Sequence, residues 1–306
     1  MSDTSIKFRH LNTFIEVSRQ KSVGKAAEVL NVSQPAVTKT IRELEAALDA
    51  RLFEKDGRGI RITRYGEVFL QHAGASVAAI QRGIDSVARA QASSGPPVRV
   101  GALPTVSARI MPGAIQLFIA GRTGSPIKIV AGENVVLLEQ LRIGQLDLVV
   151  GRLAAPEQMN GLNFVHLYTE QVVFVVRKGH PLLQTKSFEF ARIREFTVLM
   201  PTHGSIIRPF AERFLISHGI AEIPVEIETV SDSFGRAMLQ QSDSIWIISE
   251  GVVAPDLAAG VLNVLPVDTS ETRGSVGLTT RADMPDTPSV EILARTIRET
   301  VKALGL

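Results

Sequence analysis

Side chains that can read the edges of DNA bases recur along one predicted helix near the N-terminus. The candidate contacts are Gln34, Thr38, Lys39 and Arg42, and the opposite face carries the apolar residues Val37, Ile41, Leu44 and Leu48. Glutamine can pair with adenine edges and arginine with guanine, whereas lysine and threonine bind bases or phosphates. The pattern favours a helix that enters the major groove of DNA, although a surface helix with a polar outer face would show the same spacing.

Two further helices and a tight turn would hold this helix in place. Apolar positions at helical spacing are Leu11, Phe14 and Ile15 (with Ser18) in the first helix and Val23, Ala26, Ala27 and Leu30 in the second. Ser22 and Ser33 are expected to cap the second and third helices, and Pro35 lies in the first turn of the third, where its missing N–H costs nothing. Asn31 and Val32 form the turn, because asparagine tolerates the left-handed conformation. The pattern is a helix-turn-helix, which adds Ser33 and Pro35 to the candidate DNA contacts.

A glycine-flanked arginine follows the predicted recognition helix. Residues 57–59 read Gly-Arg-Gly, a turn of hairpin type, and residues 60–62 alternate apolar and basic side chains as in a short strand. A hairpin that carries Arg58 at its tip and Arg61 on its strand is a wing, which typically binds phosphate or the minor groove. The glycine spacing does not match a dinucleotide-binding motif.

The composition narrows the class of protein. A chain of 306 residues is expected to form two or three folding units. It has no cysteine, which excludes disulfides, thiolate metal sites and cysteine nucleophiles. No apolar run approaches the roughly 20 residues needed to cross a bilayer, and the start, MSDTSIKFRH, lacks the apolar core of a signal peptide. These observations predict a cytoplasmic protein.

The charge is unevenly distributed along the chain. Residues 1–65 hold 12 Lys and Arg against 8 Asp and Glu, and the remaining residues hold 21 against 23. A basic head on a slightly acidic body suits a polyanion-binding module fused to another domain. A chance fluctuation in a short window would look the same, so the charge alone does not decide.

An enzyme and a periplasmic transport protein are the alternative classes. The six histidines (10, 72, 166, 180, 203 and 218) show no metal-type spacing, and neither a Gly-x-Ser-x-Gly elbow nor a phosphate loop is present. His203, in a glycine-flanked loop, is the one histidine that looks catalytic, and a ligand contact or a solvated loop residue is the simpler interpretation. We expect no catalytic residue, no metal site and no cofactor. A periplasmic-type solute-binding protein is a distant alternative, against which the DNA-binding head argues.

Residues 26–70 resemble the signature of LysR-type transcriptional regulators. They read AAEVLNVSQPAVTKTIRELEAALDARLFEKDGRGIRITRYGEVFL, and the similarity spans the whole winged-helix region. The resemblance implies a regulator that binds double-stranded operator DNA and a small-molecule effector. It also implies self-association to a dimer or tetramer, and RNA polymerase as a further partner.

A long helix is predicted from about Tyr65 to Ala92, since this segment has no proline and few glycines. Seven positions recur at alternating intervals of four and three, namely Phe69, Ala73, Ser76, Ile80, Gly83, Val87 and Ala90. This heptad spacing is typical of helices that pack on each other. A helix lying on its own domain would also fit, and the resemblance favours a dimerising coiled coil. Residues 93–97, Ser-Ser-Gly-Pro-Pro, then predict a hinge.

The rest of the chain alternates short apolar runs with helical segments, which predicts an α/β domain with largely parallel sheets. Strands are expected near residues 98–103, 127–131, 146–151, 172–176, 197–200, 225–229 and 244–249. Residues 132–147 fit the pattern G-x4-L-x3-L-x2-G-x-L-D of LysR effector-binding domains. Such domains resemble periplasmic binding proteins, in which two α/β lobes joined by two crossover strands hold a ligand between them.

The expected architecture has three parts: an N-terminal all-α winged helix-turn-helix, a long linker helix, and an α/β two-lobed periplasmic-binding-protein-like effector domain. The DNA-binding domain is placed at 1–65, the linker and dimerisation helix at 66–95, and the effector-binding domain at 96–306. Lobe 1 takes about 97–166 plus 268–306, and lobe 2 takes about 167–267.

Three loops are candidates for the effector site, because ligands in such folds bind where helix N-termini offer free backbone N–H groups. The candidate residues are Thr105, Ser107, Gly132, Asn134, Thr202, His203, Ser205 and Arg208. Hydroxyl groups beside helix N-termini suit an anion, and an arginine would make the site a carboxylate pocket. Ordinary helix capping is the alternative role for any one of these residues.

Two segments resemble the PcaQ-type subgroup of the family, which activates protocatechuate catabolism. They are residues 230–238, VSDSFGRAM, and residues 243–250, DSIWIISE, where many family members carry a G-x-G-I-x-x-x-P segment. The resemblance implies an aromatic-degradation intermediate, β-carboxy-cis,cis-muconate, as effector. A LysR-type regulator of a different pathway, with a sugar or another non-aromatic effector, is the alternative.

Overall fold

The structure is a computed structural model that describes residues 6–57, 59–90, 97–185 and 187–306. The chain forms two compact units. The first unit comprises Met1–Pro96 together with Glu139–Leu146, and the second comprises Pro97–Leu138 and Asp147–Leu306. No described helix has the length and apolar character needed to cross a membrane.

The first unit begins with three short helices. They are α1 (Phe8–Gln20), α2 (Val23–Val29) and α3 (Gln34–Leu48). The Ser22 hydroxyl accepts a hydrogen bond from the Lys25 N–H, and the Ser33 hydroxyl accepts one from the Ala36 N–H, so both predicted caps are present. Asn31 has a φ of 53°, in the left-handed region that the turn requires. The predicted helix-turn-helix geometry is therefore confirmed.

A hairpin and a long helix complete this unit. They are β1 (Phe53–Asp56), β2 (Gly59–Ile62) and α4 (Arg64–Ala90). The strands are antiparallel, and Gly57 at the turn has a φ of 54°, which favours glycine. The ring of Phe14 lies 5.3 Å from the rings of Phe53 and Phe69, so hairpin and long helix share one core with α1.

The long helix covers the predicted linker as far as Ala90. Ala73, which lies on the predicted seam, is buried. Ile80, also on the seam, is exposed, and so is Ile84 about one turn further along the helix. The side chains of Val87 and Ala90, the helix end at Ala92 and the hinge residues 93–96 lie outside the described residues, as does Arg58.

The second unit contains two five-stranded sheets. The strands are β3 (Val98–Ala102), β4 (Ile127–Ala131), β5 (Leu148–Arg152), β6 (Leu162–Glu170), β7 (Val172–Arg177), β8 (Val198–Met200), β9 (Glu226–Glu228), β10 (Ile245–Ser249), β11 (Leu262–Val264) and β12 (Gly274–Arg281). The helices are α5 (Pro104–Arg109), α6 (Met111–Ala120), α7 (Asn134–Arg142), α8 (Arg208–Ser217), α9 (Asp232–Gln241), α10 (Glu250–Ala258) and α11 (Pro288–Ala303). The residues of α7 from Glu139 onward belong to the first unit. One sheet has the order β4-β3-β5-β12-β6 and the other β11-β7-β10-β8-β9.

Both sheets are mixed, so the expectation of largely parallel sheets needs correction. In each sheet three strands are parallel (β4, β3, β5 and β9, β8, β10), and the other two pair antiparallel to their neighbours. The chain passes from one sheet to the other twice, between β6 and β7 at Gln171 and between β11 and β12. The antiparallel strands flank these crossings, and β6, β11 and β12 were not predicted as strands.

Each sheet has its own apolar core. In the first sheet, α6 and α11 pack on one face, and Val100, Phe118 and Ile297 are fully buried there. In the second sheet, Phe174, Phe214 and Trp246 anchor the core. The crossings between the sheets, with the helices that begin beside them, position the residues of the candidate site.

Candidate functional site

The outer face of α3 forms the candidate DNA-binding surface. An open groove is lined by Gln34, Pro35, Thr38, Lys39, Arg42, Glu43 and Ala46. The side chains of Lys39 and Arg42 are exposed, as is that of Gln34. Two of the predicted contacts already have local partners, because the Ser33 hydroxyl caps α3 and the Thr38 hydroxyl donates to the Gln34 carbonyl over 3.0 Å. These two hydroxyls are suited to holding the helix start in shape.

Glu43 is a residue of this surface that sequence reasoning missed. One carboxylate oxygen lies 3.2 Å from Arg9 Nη2 and 3.2 Å from His10 Nε2, and the other lies 3.9 Å from Lys39 Nζ. The hydrogen bond with His10 is the main cause that holds the pKa of Glu43 below its ordinary value. The four-residue spacing of Lys39 and Glu43 was visible in the sequence, whereas the partners on α1 depend on how the helices pack.

Of the two arginines predicted to act in the wing, Arg61 lies among the described residues. Arg61 Nη2 lies 2.8 Å from a carboxylate oxygen of Glu54 on the facing strand, and both side chains are largely exposed. This ion pair holds Arg61 against the hairpin and offsets its charge at the surface.

A cavity of about 690 Å³ in the second unit forms the candidate effector site. It lies between the two sheets, at the starts of α5, α7, α9 and α10. Its lining residues are Leu103, Pro104, Thr105, Ser107, Ala131, Gly132, Glu133, Asn134, Pro201, Ser205, Ile206, Ile207, Thr229, Val230, Asp232, Ser233, Arg236, Ile248, Ser249 and Val252. This volume is in the range of small-molecule sites, and the lining combines apolar walls with a few polar groups.

The structure brings five of the predicted effector residues to this cavity. They are Thr105, Ser107, Gly132, Asn134 and Ser205. Thr202 and His203 are not among the lining residues. His203 is largely exposed, and its Nε2 lies 3.1 Å from a carboxylate oxygen of Glu228.

Arg208 does not supply the cation of this cavity, and this expectation is corrected. Its side chain is buried, with Nε 2.6 Å from a Glu212 oxygen and Nη1 2.9 Å from a Glu226 oxygen. Nη1 also donates to the Pro201 carbonyl over 2.8 Å. Burial opposes the charge, but the hydrogen bonds to Glu212 and Glu226 outweigh it and raise the pKa of Arg208. The arginine thus fixes the loop before α8 and does not face a ligand.

Thr105 joins the cavity to a buried carboxylate. Its hydroxyl donates to Glu170 over 2.6 Å, and the same Glu170 oxygen accepts from the Gly251 N–H over 2.8 Å. A Cβ at Gly251 would lie 2.2 Å from the Thr105 hydroxyl, so only glycine fits there. Glu170, at the end of β6, is therefore hydrogen-bonded to residues at the starts of both α5 and α10.

A buried arginine lies on the same crossing. Arg152 donates to the Glu170 carbonyl over 3.3 Å and to the Thr272 carbonyl, so it contacts both connections between the sheets. Its guanidinium lies 4.4 Å from the centre of the Phe210 ring. Burial raises the pKa of Glu170 and lowers that of Arg152. The residues at the two crossings therefore form one interconnected, buried polar cluster.

Three charged residues that sequence reasoning missed also line the cavity: Glu133, Asp232 and Arg236. Arg236 is the one lining cation within the part of the chain that the structure describes. Its Nε donates to Asp256 over 2.9 Å and its Nη2 to the Val252 carbonyl over 2.5 Å. Asp232 precedes Arg236 by one turn of α9, and burial raises its pKa. No group of three or more acidic or histidine side chains in the described ranges could hold a metal ion.

Comparison with known proteins gives matches over both units. The model "Bacterial regulatory helix-turn-helix protein, lysR family" matches residues 8–67, and the model "LysR substrate binding domain" matches residues 91–302. The HTH-type transcriptional regulator PcaQ of Agrobacterium fabrum is 62% identical over 299 residues, which cover 98% of this chain and 96% of that protein. The uncharacterized HTH-type transcriptional regulator YdcI of Escherichia coli is 36% identical over 297 residues, covering 97% and 96%.

Solved structures share the fold. A full-length OxyR from Pseudomonas aeruginosa gives a TM-score of 0.61 at 22% identity, covering 96% of this chain and 95% of that one. CbnR, a LysR family transcriptional regulator, gives 0.57 at 19% identity, covering 97% and 99%. Because the two family models together span both units, and the similarity to PcaQ is high over nearly the full length, the chain belongs to the LysR family of bacterial transcriptional regulators, in its PcaQ-type subgroup, and is a regulator rather than an enzyme.

Proposed function

We propose that residues 1–65 bind operator DNA, residues 66–95 link and dimerise two chains, and residues 96–306 bind the effector. The reading surface is the outer face of α3, where Gln34, Lys39 and Arg42 present donors for base edges and phosphates. The wing arginines, Arg58 and Arg61, contact the DNA backbone or the minor groove. The function requires a cytoplasmic protein with access to DNA and to RNA polymerase.

The effector is a small organic carboxylate that binds in the cavity between the two sheets. The carrying observation is that the cavity is bounded by the starts of α7 and α9, with Asn134, Ser233 and Ser249 among its lining residues. Free N–H groups at helix starts and hydroxyl donors favour an anion. The similarity to PcaQ supports an effector from aromatic-acid, and in particular protocatechuate, catabolism, with β-carboxy-cis,cis-muconate as the first candidate.

Calorimetry on the protein with muconates, protocatechuate and neutral sugars tests this proposal. We expect at least one carboxylate to bind, with a negative heat-capacity change, because the walls contributed by Leu103, Ile207 and Val252 are apolar. Tight binding of a neutral sugar without a response to any carboxylate would contradict the anionic effector and would leave the regulator assignment intact.

The ligand acts by favouring one arrangement of the two sheets, since the cavity lies between them. Its influence on DNA binding cannot exceed its differential affinity for the arrangements. Thr105 lines the cavity and also bonds Glu170, so a bound ligand acts directly beside the crossing.

A fragment that begins after Pro97 should stay folded and keep its effector affinity, but lose the linker-mediated dimer. The two apolar cores of the second unit are self-contained, and Val68, Ile80 and Ile84 on α4 are exposed apolar side chains suited to a second copy. Sedimentation of the fragment and of the full chain, followed by calorimetry on both, measures the two properties. Effector binding that requires the N-terminal 95 residues would contradict the modular organisation.

A further inference from the structure

Among the described residues, Arg236 is the one cation that lines the effector cavity, and the sequence analysis did not predict it as an effector contact. Arg236 lies on α9, and its side chain is 30% exposed. The cavity walls near it are apolar, with Val230, Ile248 and Val252 among the lining residues. A carboxylate that enters such a site needs a charged hydrogen-bond donor, because its own desolvation is otherwise uncompensated.

Hydrogen bonds to two residues of α10 hold the guanidinium of Arg236 in place. Two of its nitrogens contact Asp256 and the Val252 carbonyl, and neither contact uses Nη1. These contacts restrict the side chain to one orientation before a ligand arrives. A donor that is already oriented loses less conformational entropy when it binds.

We infer that Arg236 is the specificity-determining residue that recognises one carboxylate of the effector, with Asp256 as the positioning residue that orients it. The inference rests on the proposed function, since it assigns the recognition of a carboxylate in the same cavity. The ligand is an apolar body whose carboxylate faces the start of α9.

The other charged lining residues limit where the ligand can place its negative charge. Glu133 and Asp232 both line the cavity, and Asp232 lies one helical turn from Arg236. A second or third carboxylate of a ligand near these groups is repelled. A ligand with several carboxylates, such as a muconate, therefore places one of them at Arg236 and keeps the others away from Glu133 and Asp232.

The test compares acids with neutral isosteres in the full-length protein. The probes are protocatechuate and cis,cis-muconate, each measured by calorimetry against its primary amide. Wild-type protein should prefer an acid to its amide by about 10-fold or more, because a charge-assisted hydrogen bond is replaced by a neutral one. In Arg236→Gln the preference should fall to about threefold or less, while the amide affinity changes little. Arg213→Gln is the matched control, because Arg213 is an exposed arginine of α8 that does not line the cavity.

Two further variants separate recognition from a structural tie between α9 and α10. Asp256→Asn weakens the contact that orients Arg236, so it should lower the acid preference, by less than Arg236→Gln does, and change the amide affinity little. Asp232→Asn should raise the affinity for the acid by severalfold. If Arg236 only ties the helices, Arg236→Gln and Asp256→Asn would lower acid and amide affinity equally, and that result overturns the assignment. An unchanged acid preference in Arg236→Gln overturns it as well. Failure of wild-type protein to bind either acid contradicts the proposed carboxylate effector itself, which is a distinguishable result.

Discussion

Arg42→Ala is expected to weaken binding to the operator and to relax base preference at one position of each half-site. Arg42 lies on the outer face of α3, with its side chain exposed in the groove that also contains Gln34 and Lys39. A bidentate arginine contact to guanine contributes about 1–3 kcal/mol of discrimination, or roughly 5- to 150-fold in relative affinity. Binding titrations on the operator and on variants with one changed base pair measure both effects.

The control for this prediction is Arg194→Ala, which removes the same charge from the second unit and should leave DNA affinity unchanged. Arg58→Ala should weaken binding to all sequences similarly and flatten the salt dependence, since a wing arginine contacts phosphate or the minor groove. If Arg42→Ala and Arg58→Ala lose affinity equally on operator and on random DNA, the division into a reading helix and a binding wing is wrong.

Glu170→Ala is expected to lower the free energy of unfolding of the second unit by about 3–5 kcal/mol. The substitution leaves the Thr105 hydroxyl and the Gly251 N–H without their acceptor, and it removes the buried carboxyl group near Arg152. Glu170→Gln keeps an acceptor oxygen for both donors and should cost much less. Denaturant unfolding of the full chain, followed through the single tryptophan, Trp246, measures the difference.

The exposed Glu195, paired with Arg192 at the surface, provides the control, and Glu195→Ala should change stability by less than about 1 kcal/mol. If Glu170→Ala is equally mild, the cluster at the crossing does not stabilise the unit. A loss of effector response in Glu170→Gln, with stability retained, would show that the charge of Glu170 matters for switching.

The same residue predicts a pH dependence with a defined sign. Burial raises the pKa of Glu170, so the folded unit holds a proton that the unfolded chain has already released. The contribution of this group to stability is present below the ordinary carboxyl pKa and is lost as the pH rises through the raised value. The stability of Glu170→Gln relative to wild type should therefore increase with pH over that window. A difference that does not change with pH would contradict the raised pKa.

Local signals in the sequence determined the N-terminal unit. The caps at Ser22 and Ser33 and the turn at Asn31 were predicted and are present, because each depends on residues no more than a few positions apart. The apolar spacing around Val37 and Leu44 likewise identified the buried face of α3. The seven predicted strands of the second unit were found for the same reason, since short apolar runs signal buried strands directly.

The sequence also indicated the function, because the helix-turn-helix signature at residues 26–70 and the effector-domain pattern at residues 132–147 are each contiguous in the chain. The resemblance to LysR-type regulators and to the PcaQ-type subgroup is confirmed by the two family models and by the 62% identity to PcaQ. The strands β6 and β12 escaped prediction, since one alternates partly exposed residues and the other contains glycines at 274 and 277 that weaken a strand pattern.

Only the tertiary structure decided which side chains meet in the second unit. Glu170 contacts Thr105 and Gly251 across sequence separations of 65 and 81 residues, and no local pattern specifies such pairs. Arg208 was expected at the cavity because it follows the loop at 201–205, yet Glu226 at the start of β9 binds it. Arg236 lines the cavity because α9 starts beside it. The position of α9 depends on the order of the strands in the second sheet and on where the chain crosses between the sheets. Helix and strand signals are short-range, whereas the cavity is assembled by contacts between segments far apart in the chain.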